Sequence, residues 1–365
     1  MNIKETVLRD DDFAKALQFD CLNDDGVSMS HAYTTVRDSR YDGQFIKALL
    51  VGGIGTPPQF RRQGCVRALM DAIFAHAEEW QTPVSLLHPF SFSYYRQFGY
   101  ERISNTTIVS FPITALDFLP RCADLIPYTP EYETEVLALY DRFSRDRNII
   151  LRREESGLKN NAYLYRRNGV IEGYLKLIPR NHYDNINRMV SDELYVDEIV
   201  FADADALRHL LSFLRMFEGE LDLVRLRDLG PVPEIDLMLK HYTHTSYEIH
   251  PDIMARVLDT KAMLALHRYP QEPGIFTLKV EDPLPAVRGT FRVAYEKAQG
   301  EVTRLDDNAI ADLTVSGTAL PRFLYGTDNF DARSAAYLDG VLLQNDAPDF
   351  FRAFPKQING LFEHF

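Results

Sequence analysis

Residues 45–67 read FIKALLVGGIGTPPQFRRQGCVR. The apolar run at 45–50 gives way to glycines and prolines, and apolar side chains then recur at helical spacing, at Val66, Leu69, Met70, Ile73, Phe74 and Ala77. The pattern predicts a strand, a tight loop and an amphipathic helix. The N–H groups at a helix N-terminus favour an anion, and Arg61 and Arg62 add two donors. The segment therefore predicts a site for a pyrophosphate group.

The spacing in this loop differs from that of two common phosphate loops. It has no Gly-Lys-Ser/Thr of a P-loop and no G-x-G-x-x-G opening the helix. The pattern Arg61-x-x-Gly64-x-Val66 after a strand instead resembles the acetyl-CoA loop of the GNAT acetyltransferases. Downstream, residues 86–100 read LLHPFSFSYYRQFGY, a strand and a short helix that ends in Phe-Gly-Tyr. Together the two segments resemble the branch of that family that contains the enhanced intracellular survival (Eis) acetyltransferases.

The remaining pattern extends the resemblance over essentially the whole chain. Turn signals separate runs at 16–21, 27–36 and 44–51, which predicts an antiparallel meander leading into the phosphate-loop strand. Little chain precedes it for a first strand and helix, and the longer N-terminal portion that the resemblance implies is shortened, so we expect a more open acceptor cleft. Strand, helix and strand recur between 194 and 226. From about residue 262, alternating strands and then short helices resemble a sterol-carrier-like domain.

The resemblance implies an α/β (α+β) fold in three parts. Residues 1–125 are expected to form a GNAT domain that binds acetyl-CoA, and 126–261 a second, degenerate GNAT copy. Residues 262–365 are expected to form a sterol-carrier-like α+β domain. Between its strand and helix the second copy has Ala202-Asp203-Ala204-Asp205. Because aspartates satisfy the helix dipole and repel a pyrophosphate, we expect no CoA there.

The chemistry of acetyl transfer selects the candidate catalytic groups. The reaction needs a neutral amine, a polarised thioester and a proton for the departing thiolate. The sequence shows no Ser-His-Asp or Cys-His signature, so direct attack in a ternary complex is the simpler expectation. The resemblance makes Tyr95 the acid and the α-carboxylate of Phe365 the base. It also assigns co-substrate binding to Ile54, Gly55, Thr56, Arg61, Arg62, Gly64 and Cys65.

Each assignment has a plainer alternative. Tyr95 could be a packing aromatic, and its neighbour Tyr94 could be mistaken for it, although helix neighbours point in different directions. Phe365 could belong to a tail packed on the core. Cys65 at a helix N-terminus could be an acyl acceptor, and His88 could shape the acceptor pocket. A histidine group, His241, His244 and His250, lacks cysteine or carboxylate at ligand spacing, so we expect no metal.

Composition narrows the class of protein. A chain of 365 residues exceeds one ordinary core and predicts two or three domains. No apolar run reaches the length of a membrane span and no signal peptide opens the chain, which predicts a cytoplasmic protein without a membrane partner. Its 3 cysteines are widely spaced, as in a reducing compartment. The net charge of −13 argues against nucleic acid and for cationic partners.

These observations favour an acetyl-CoA-dependent N-acetyltransferase that acts on primary amines of a cationic small molecule, such as an aminoglycoside or polyamine. Acetyl-CoA is the expected co-substrate. Alternatives are a protein lysine acetyltransferase, an enzyme that uses longer-chain acyl donors, and a non-enzymatic protein that binds CoA or lipid. By resemblance we expect a homo-oligomer, specifically a hexamer.

Overall fold

The computed structural model describes residues 1–122, 124–178, 193–228 and 233–363. The strands in these ranges are β1 (Asn2–Asp10), β2 (Lys15–Leu22), β3 (Ser28–Tyr41), β4 (Gln44–Gly55), β5 (Val84–Leu87), β6 (Glu101–Arg102), β7 (Asn105–Pro112), β8 (Ile126–Pro127), β9 (Arg147–Asn148), β10 (Ala162–Arg167), β11 (Val170–Ile178), β12 (Glu193–Phe201), β13 (Leu223–Asp228), β14 (Ser246–Pro251), β15 (Met254–Val257), β16 (Gly274–Glu281), β17 (Gly289–Glu296), β18 (Gln299–Leu305), β19 (Leu313–Ser316), β20 (Val341–Leu343) and β21 (Ile358–Asn359). The α-helices in the same ranges are α1 (Cys65–Ala75), α2 (Phe92–Arg96), α3 (Glu133–Phe143), α4 (Ala204–Leu214), α5 (Pro233–Met238), α6 (Thr260–Leu266), α7 (Leu320–Leu324), α8 (Ala332–Ala335) and α9 (Pro348–Ala353).

The chain forms two compact units, each built from separate pieces of sequence. Unit 1 contains Met1–Ser104, Arg147–Arg152 and the described residues from Asp252 onwards. Unit 2 contains the described residues of Asn105–Asp146 and Arg153–Pro251. The chain therefore leaves and re-enters each unit.

The first sheet of unit 1 has the strand order β1-β2-β3-β4-β5-β15-β6. Strands β2, β3 and β4 pair antiparallel in sequence order, which confirms the predicted meander. The predicted shortage of a first strand is wrong, because β1 pairs with β2 along most of its length. Its side chains are mostly exposed, as at a sheet edge, so it lacks the apolar alternation by which strands are recognised.

Both faces of the centre of this sheet are buried. On one face, Leu49 and Val51 of β4 belong to a core cluster with Leu69 and Ile73 of α1. The opposite face of β4 packs into a second cluster, which includes apolar side chains of β16, β17 and α9. A strand buried on both faces has apolar residues at successive positions, which explains the continuous apolar run at 48–51.

The C-terminal part of unit 1 carries a second, five-stranded sheet with the order β18-β17-β16-β19-β20. Strands β16 and β17 pair antiparallel, whereas β16 and β19 pair parallel. The helices α6 to α9 belong to the same part. It is thus a mixed α+β arrangement, and its likeness to a sterol-carrier domain stays a prediction.

Unit 2 is built on a seven-stranded sheet with the order β14-β7-β13-β12-β11-β10-β8. Asn168 and Gly169 adopt positive φ angles of 51° and 86° and form the predicted turn between β10 and β11. Strands β12 and β13 run parallel, with α4 between them in sequence. Strand, helix and parallel strand therefore recur in unit 2.

Each large sheet takes a strand from a distant part of the sequence. Strand β15, from the predicted segment 126–261, lies between β5 and β6, and β7, from the predicted segment 1–125, lies between β14 and β13. The predicted boundaries 1–125, 126–261 and 262–365 stay a prediction. The predicted α/β class is confirmed, and the arrangement is consistent with two tandem copies and an additional part. No helix among the described residues is long and apolar enough to span a bilayer.

Candidate active site

Strands β4 and β5 pair for only a short distance and then separate. Their parallel register begins at Ala48 and Val84 and ends at Leu50 and Leu86. Strand β4 continues to Gly55, where it pairs with β3 alone among the described strands. Residues 51–55 therefore leave their other edge open, and an extended molecule that carries amide groups can add there as an extra strand.

Glycines form this edge because two rings lie against it. A Cβ atom on Gly53 would lie 2.6 Å from Cδ2 of Tyr33, and one on Gly55 would lie 2.6 Å from Cε1 of His31. Gly53 also has a φ of +55°, in the left-handed region that other residues avoid. The glycine run thus accommodates Tyr33 and His31 on β3, which sequence spacing alone did not identify.

The loop after β4 ends in an uncapped helix N-terminus. Gly64 is the N-cap of α1, with a φ of 79°, and among the described residues no side-chain cap bonds to the N–H groups of the first turn. Arg61 and Arg62 are exposed beside it, and Nε of Arg61 donates to the carbonyl oxygen of Thr56 at 3.2 Å. Backbone donors, the helix dipole and two guanidinium groups together form a candidate anion site.

Cys65 faces the core rather than this anion site. Only 3% of its surface is exposed, and its Sγ lies 3.9 Å from the carbonyl oxygen of Phe60. Its backbone N–H belongs to the first turn of α1, where an anion would bind. The structure thus favours a backbone contribution of Cys65 over the alternative of an acyl acceptor.

Tyr95 is the buried residue of the short helix α2. It is 4% exposed, and its ring packs against those of Phe90, Tyr94 and Tyr100 at centroid distances of 5.3, 5.3 and 6.2 Å. Burial, followed by the neighbouring Tyr94, raises the pKa of the Tyr95 phenol to about 12. Tyr95 therefore keeps its proton at neutral pH. Tyr94 is less buried, and its ring also packs against Phe98 at a centroid distance of 5.6 Å.

The segment that follows α2 contacts α1 beside the loop. The guanidinium carbon of Arg67, in the first turn of α1, lies 5.1 Å from the ring centroid of Phe98. Cys65, Leu69 and Tyr95 belong to one buried cluster. Tyr95 and the first turn of α1 therefore contribute to the same buried cluster.

Close packing requires the glycine of the Phe-Gly-Tyr segment. Gly99 has a φ of +81°, and a Cβ there would lie 2.6 Å from Cζ of Arg256. Arg256 is buried and makes two hydrogen bonds to Asp282, at 2.6 and 2.5 Å. Only glycine fits next to this buried ion pair, whose members come from the distant C-terminal half of the sequence.

His88 follows β5 and contacts two groups that sequence reasoning missed. Its Nδ1 lies 3.3 Å from a carboxylate oxygen of Asp252, and its Nε2 lies 3.2 Å from the carbonyl oxygen of Glu363. A carbonyl oxygen only accepts, so Nε2 is the donor in that contact. His88 thus joins the end of β5 to the last described residue. Phe365, the candidate base, lies outside the described residues.

The corresponding helix of unit 2 has the expected acidic start. Asp203 is the N-cap of α4 and accepts from the N–H of Ala206 at 2.9 Å. Arg167 donates to the carboxylates of Asp203 and Asp205 at 2.6 and 2.9 Å. This N-terminus therefore already holds the negative charge that α1 lacks.

Comparison with known proteins agrees with this geometry. Residues 9–103 match the sequence profile described as the acetyltransferase (GNAT) domain. No match is found among curated proteins.

Solved structures resemble the chain over nearly its full length. A probable N-acyltransferase of unknown function from Enterococcus faecalis V583 has a TM-score of 0.78 and 18% identity, over 96% of this chain and 89% of that chain. A GCN5-related N-acetyltransferase from Kribbella flavida has a TM-score of 0.79 and 19% identity, over 95% of this chain and 87% of that chain. Eis1 from Mycobacterium abscessus has a TM-score of 0.73 and 17% identity, over 95% of this chain and 90% of that chain. At these identities the likeness establishes the fold.

The domain match and the site define the class of protein. The chain carries a GNAT acetyltransferase domain, and the open strand edge and the uncapped helix of the candidate site both lie within residues 9–103. The protein is therefore an enzyme that carries a GNAT acetyltransferase domain.

Proposed function

We propose that this enzyme transfers the acetyl group of acetyl-CoA to a primary amine of a cationic small molecule, by direct attack in a ternary complex. The observation that carries the proposal is the open edge of β4 at 51–55, next to the uncapped N-terminus of α1. The edge suits the amide groups of the pantetheine arm, and the helix with Arg61 and Arg62 suits the pyrophosphate. Both features lie in one unit.

The proposed role of Tyr95 is to donate a hydrogen bond to the departing sulfur. A thiol has a pKa near 8.5, whereas that of Tyr95 is about 12, so complete proton transfer to a free thiolate would cost about 5 kcal/mol. We therefore expect Tyr95 to share its proton with the sulfur while the carbon–sulfur bond breaks. The proton that the attacking nitrogen releases completes the thiol product.

The acceptor amine must lose a proton, and the resemblance assigns that step to the α-carboxylate of Phe365. This assignment stays a prediction. Its support in the described chain is the contact between His88 and the carbonyl oxygen of Glu363, which brings the C-terminal segment to the end of β5. Asp252 beside His88 adds negative charge to the same place. This carboxylate and the net charge of −13 together favour a cationic acceptor.

A panel of amines tests the proposal. Release of CoA thiol from acetyl-CoA would be followed with polyamines, aminoglycosides and a lysine peptide, with simple monoamines as controls. We expect release with polycationic amines and little with amines that carry a single charge. Release only with the peptide would favour a protein acceptor. Faster release from longer acyl-CoAs would indicate a longer-chain acyl donor in place of acetyl-CoA. A protein that binds acetyl-CoA yet releases thiol with no amine would contradict the proposal.

A further inference from the structure

Three side chains with metal-binding atoms converge in unit 2, away from the acetyltransferase domain in the sequence. Cys122 and Asp124 precede β8, and His209 lies in the middle of α4. One ligand atom of each lies within 4.8 Å of the other two. The Sγ of Cys122 lies 3.6 Å from Nδ1 of His209.

The separation of sulfur and nitrogen matches a tetrahedral zinc site. Zn–S and Zn–N bonds of about 2.3 and 2.0 Å place the two ligand atoms about 3.5 Å apart at the tetrahedral angle. The observed 3.6 Å needs almost no rearrangement. Asp124 is exposed, so its carboxylate can turn toward the same point.

The imidazole of His209 is held in the orientation that metal binding requires. Its ring stacks on that of Tyr165, with a centroid distance of 4.2 Å and an interplanar angle of 13°. Its other nitrogen, Nε2, lies 4.0 Å from Oδ2 of Asp205. Arg167 fixes Asp205 by a hydrogen bond of 2.9 Å. A carboxylate that faces the second nitrogen is common for metal-bound histidine, since it orients the ring and strengthens the ligand.

We propose that Cys122, Asp124 and His209 bind Zn²⁺, with solvent as the fourth ligand. A thiolate and an imidazole suit zinc, whereas Mg²⁺ and Ca²⁺ prefer oxygen ligands throughout. Binding replaces the proton of the Cys122 thiol, which is released to solvent, so the step needs no oxidant.

The position of this zinc site indicates a structural role. It ties the segment that precedes β8 to α4. The same segment is held nearby by Arg121, which donates to Glu218 at 3.0 Å, and by Arg215, which donates to the carbonyl oxygen of Asp117 at 3.2 Å. Sequence reasoning considered only His241, His244 and His250, because His209 lies far along the chain from Cys122 and Asp124.

The test uses the full chain, freed of metal with a chelator and titrated with Co²⁺ and Zn²⁺. We expect one equivalent of Co²⁺ to give a thiolate-to-cobalt charge-transfer band. Zn²⁺ at a hundredfold excess over its dissociation constant is expected to raise Tm by about 5 °C. Cys122→Ala should lose the band and the shift, and Asp124→Asn should weaken both. The control His241→Gln removes an exposed histidine of the same unit and should leave both unchanged.

A thiol–imidazole hydrogen bond without a metal is the competing explanation of the 3.6 Å contact. It predicts no charge-transfer band in the wild-type chain, and that result would overturn the proposal even if Cys122→Ala proved unstable. Equal metal binding by the wild type and a folded Cys122→Ala variant would overturn it as well.

Discussion

Replacement of Tyr95 by Phe removes one oxygen atom from the candidate site. The ring is buried among other aromatic rings, which Phe retains, so the free energy of unfolding should change by less than about 1 kcal/mol. The effect on the rate of the chemical step should be far larger. A positioned acid contributes about 10²–10⁴-fold to a rate, so kcat should fall by at least about 100-fold.

The KM for acetyl-CoA separates this effect from a binding defect. The open edge of β4 and the N-terminus of α1 do not include the Tyr95 hydroxyl, so KM should stay near the wild-type value. Tyr94→Phe is the matched control, because it makes the same chemical change one residue away on α2. Thiol release at saturating amine measures both variants. A Tyr95→Phe enzyme with wild-type kcat, or a larger loss in Tyr94→Phe, would refute the assignment.

The pH dependence provides a second readout of the same prediction. The pKa of Tyr95 is about 12, so the phenol carries its proton throughout the range below that value. Ionisation of Tyr95 should therefore cause no loss of kcat as the pH rises to about 10, the ordinary pKa of a phenol. The opposite result would be a fall in kcat as the pH rises toward about 10 that is absent in Tyr95→Phe. It would show that the phenol ionises at a lower pH and is not shielded by burial.

Three further predictions concern backbone and burial. Gly64→Ala places a side chain at a φ of 79°, so unfolding should become easier by about 1 kcal/mol and CoA should bind more weakly, as calorimetry would show. Gly99→Ala should lower the free energy of unfolding, measured by urea denaturation, by about 2–4 kcal/mol because its Cβ would meet Arg256. The control Gly26→Ala has a similar φ of +78° but open space around it, so it should lower that free energy by about 1 kcal/mol. Equal losses would contradict the packing argument. Burial raises the pKa of Tyr100 and of other tyrosines above the unfolded value near 10. Their contribution to stability is therefore complete below about pH 10 and is lost as the pH rises further. A Tm that stays constant above about pH 10 would contradict this prediction.

The first half of the candidate site could be predicted because its signals are local. An apolar run, glycines and a helical stripe lie in one stretch, and each has a direct structural cause in β4, the loop and α1. The helical stripe extends to Ala77, whereas α1 already ends at Ala75, and a turn with Gln81 at a φ of 53° precedes β5.

The other half depends on contacts between residues that are far apart in the chain. Strand β15 has four residues and enters the first sheet between β5 and β6, and nothing in its own sequence specifies that position. Asp252 next to His88, and Arg256 next to Gly99, follow from this insertion. The glycine in Phe-Gly-Tyr was recognised by resemblance, while its reason lies in a strand that joins the sheet from elsewhere.

The central claim is that one chain binds one CoA, at the N-terminus of α1 and not at that of α4. Titration calorimetry of the full chain with CoA tests it most directly. We expect one molecule per chain, at least tenfold weaker binding when Arg61 and Arg62 are both changed to Ala, and wild-type binding in Asp203→Asn. Two molecules per chain, or an affinity that depends on Asp203 and not on the arginines, would contradict the account.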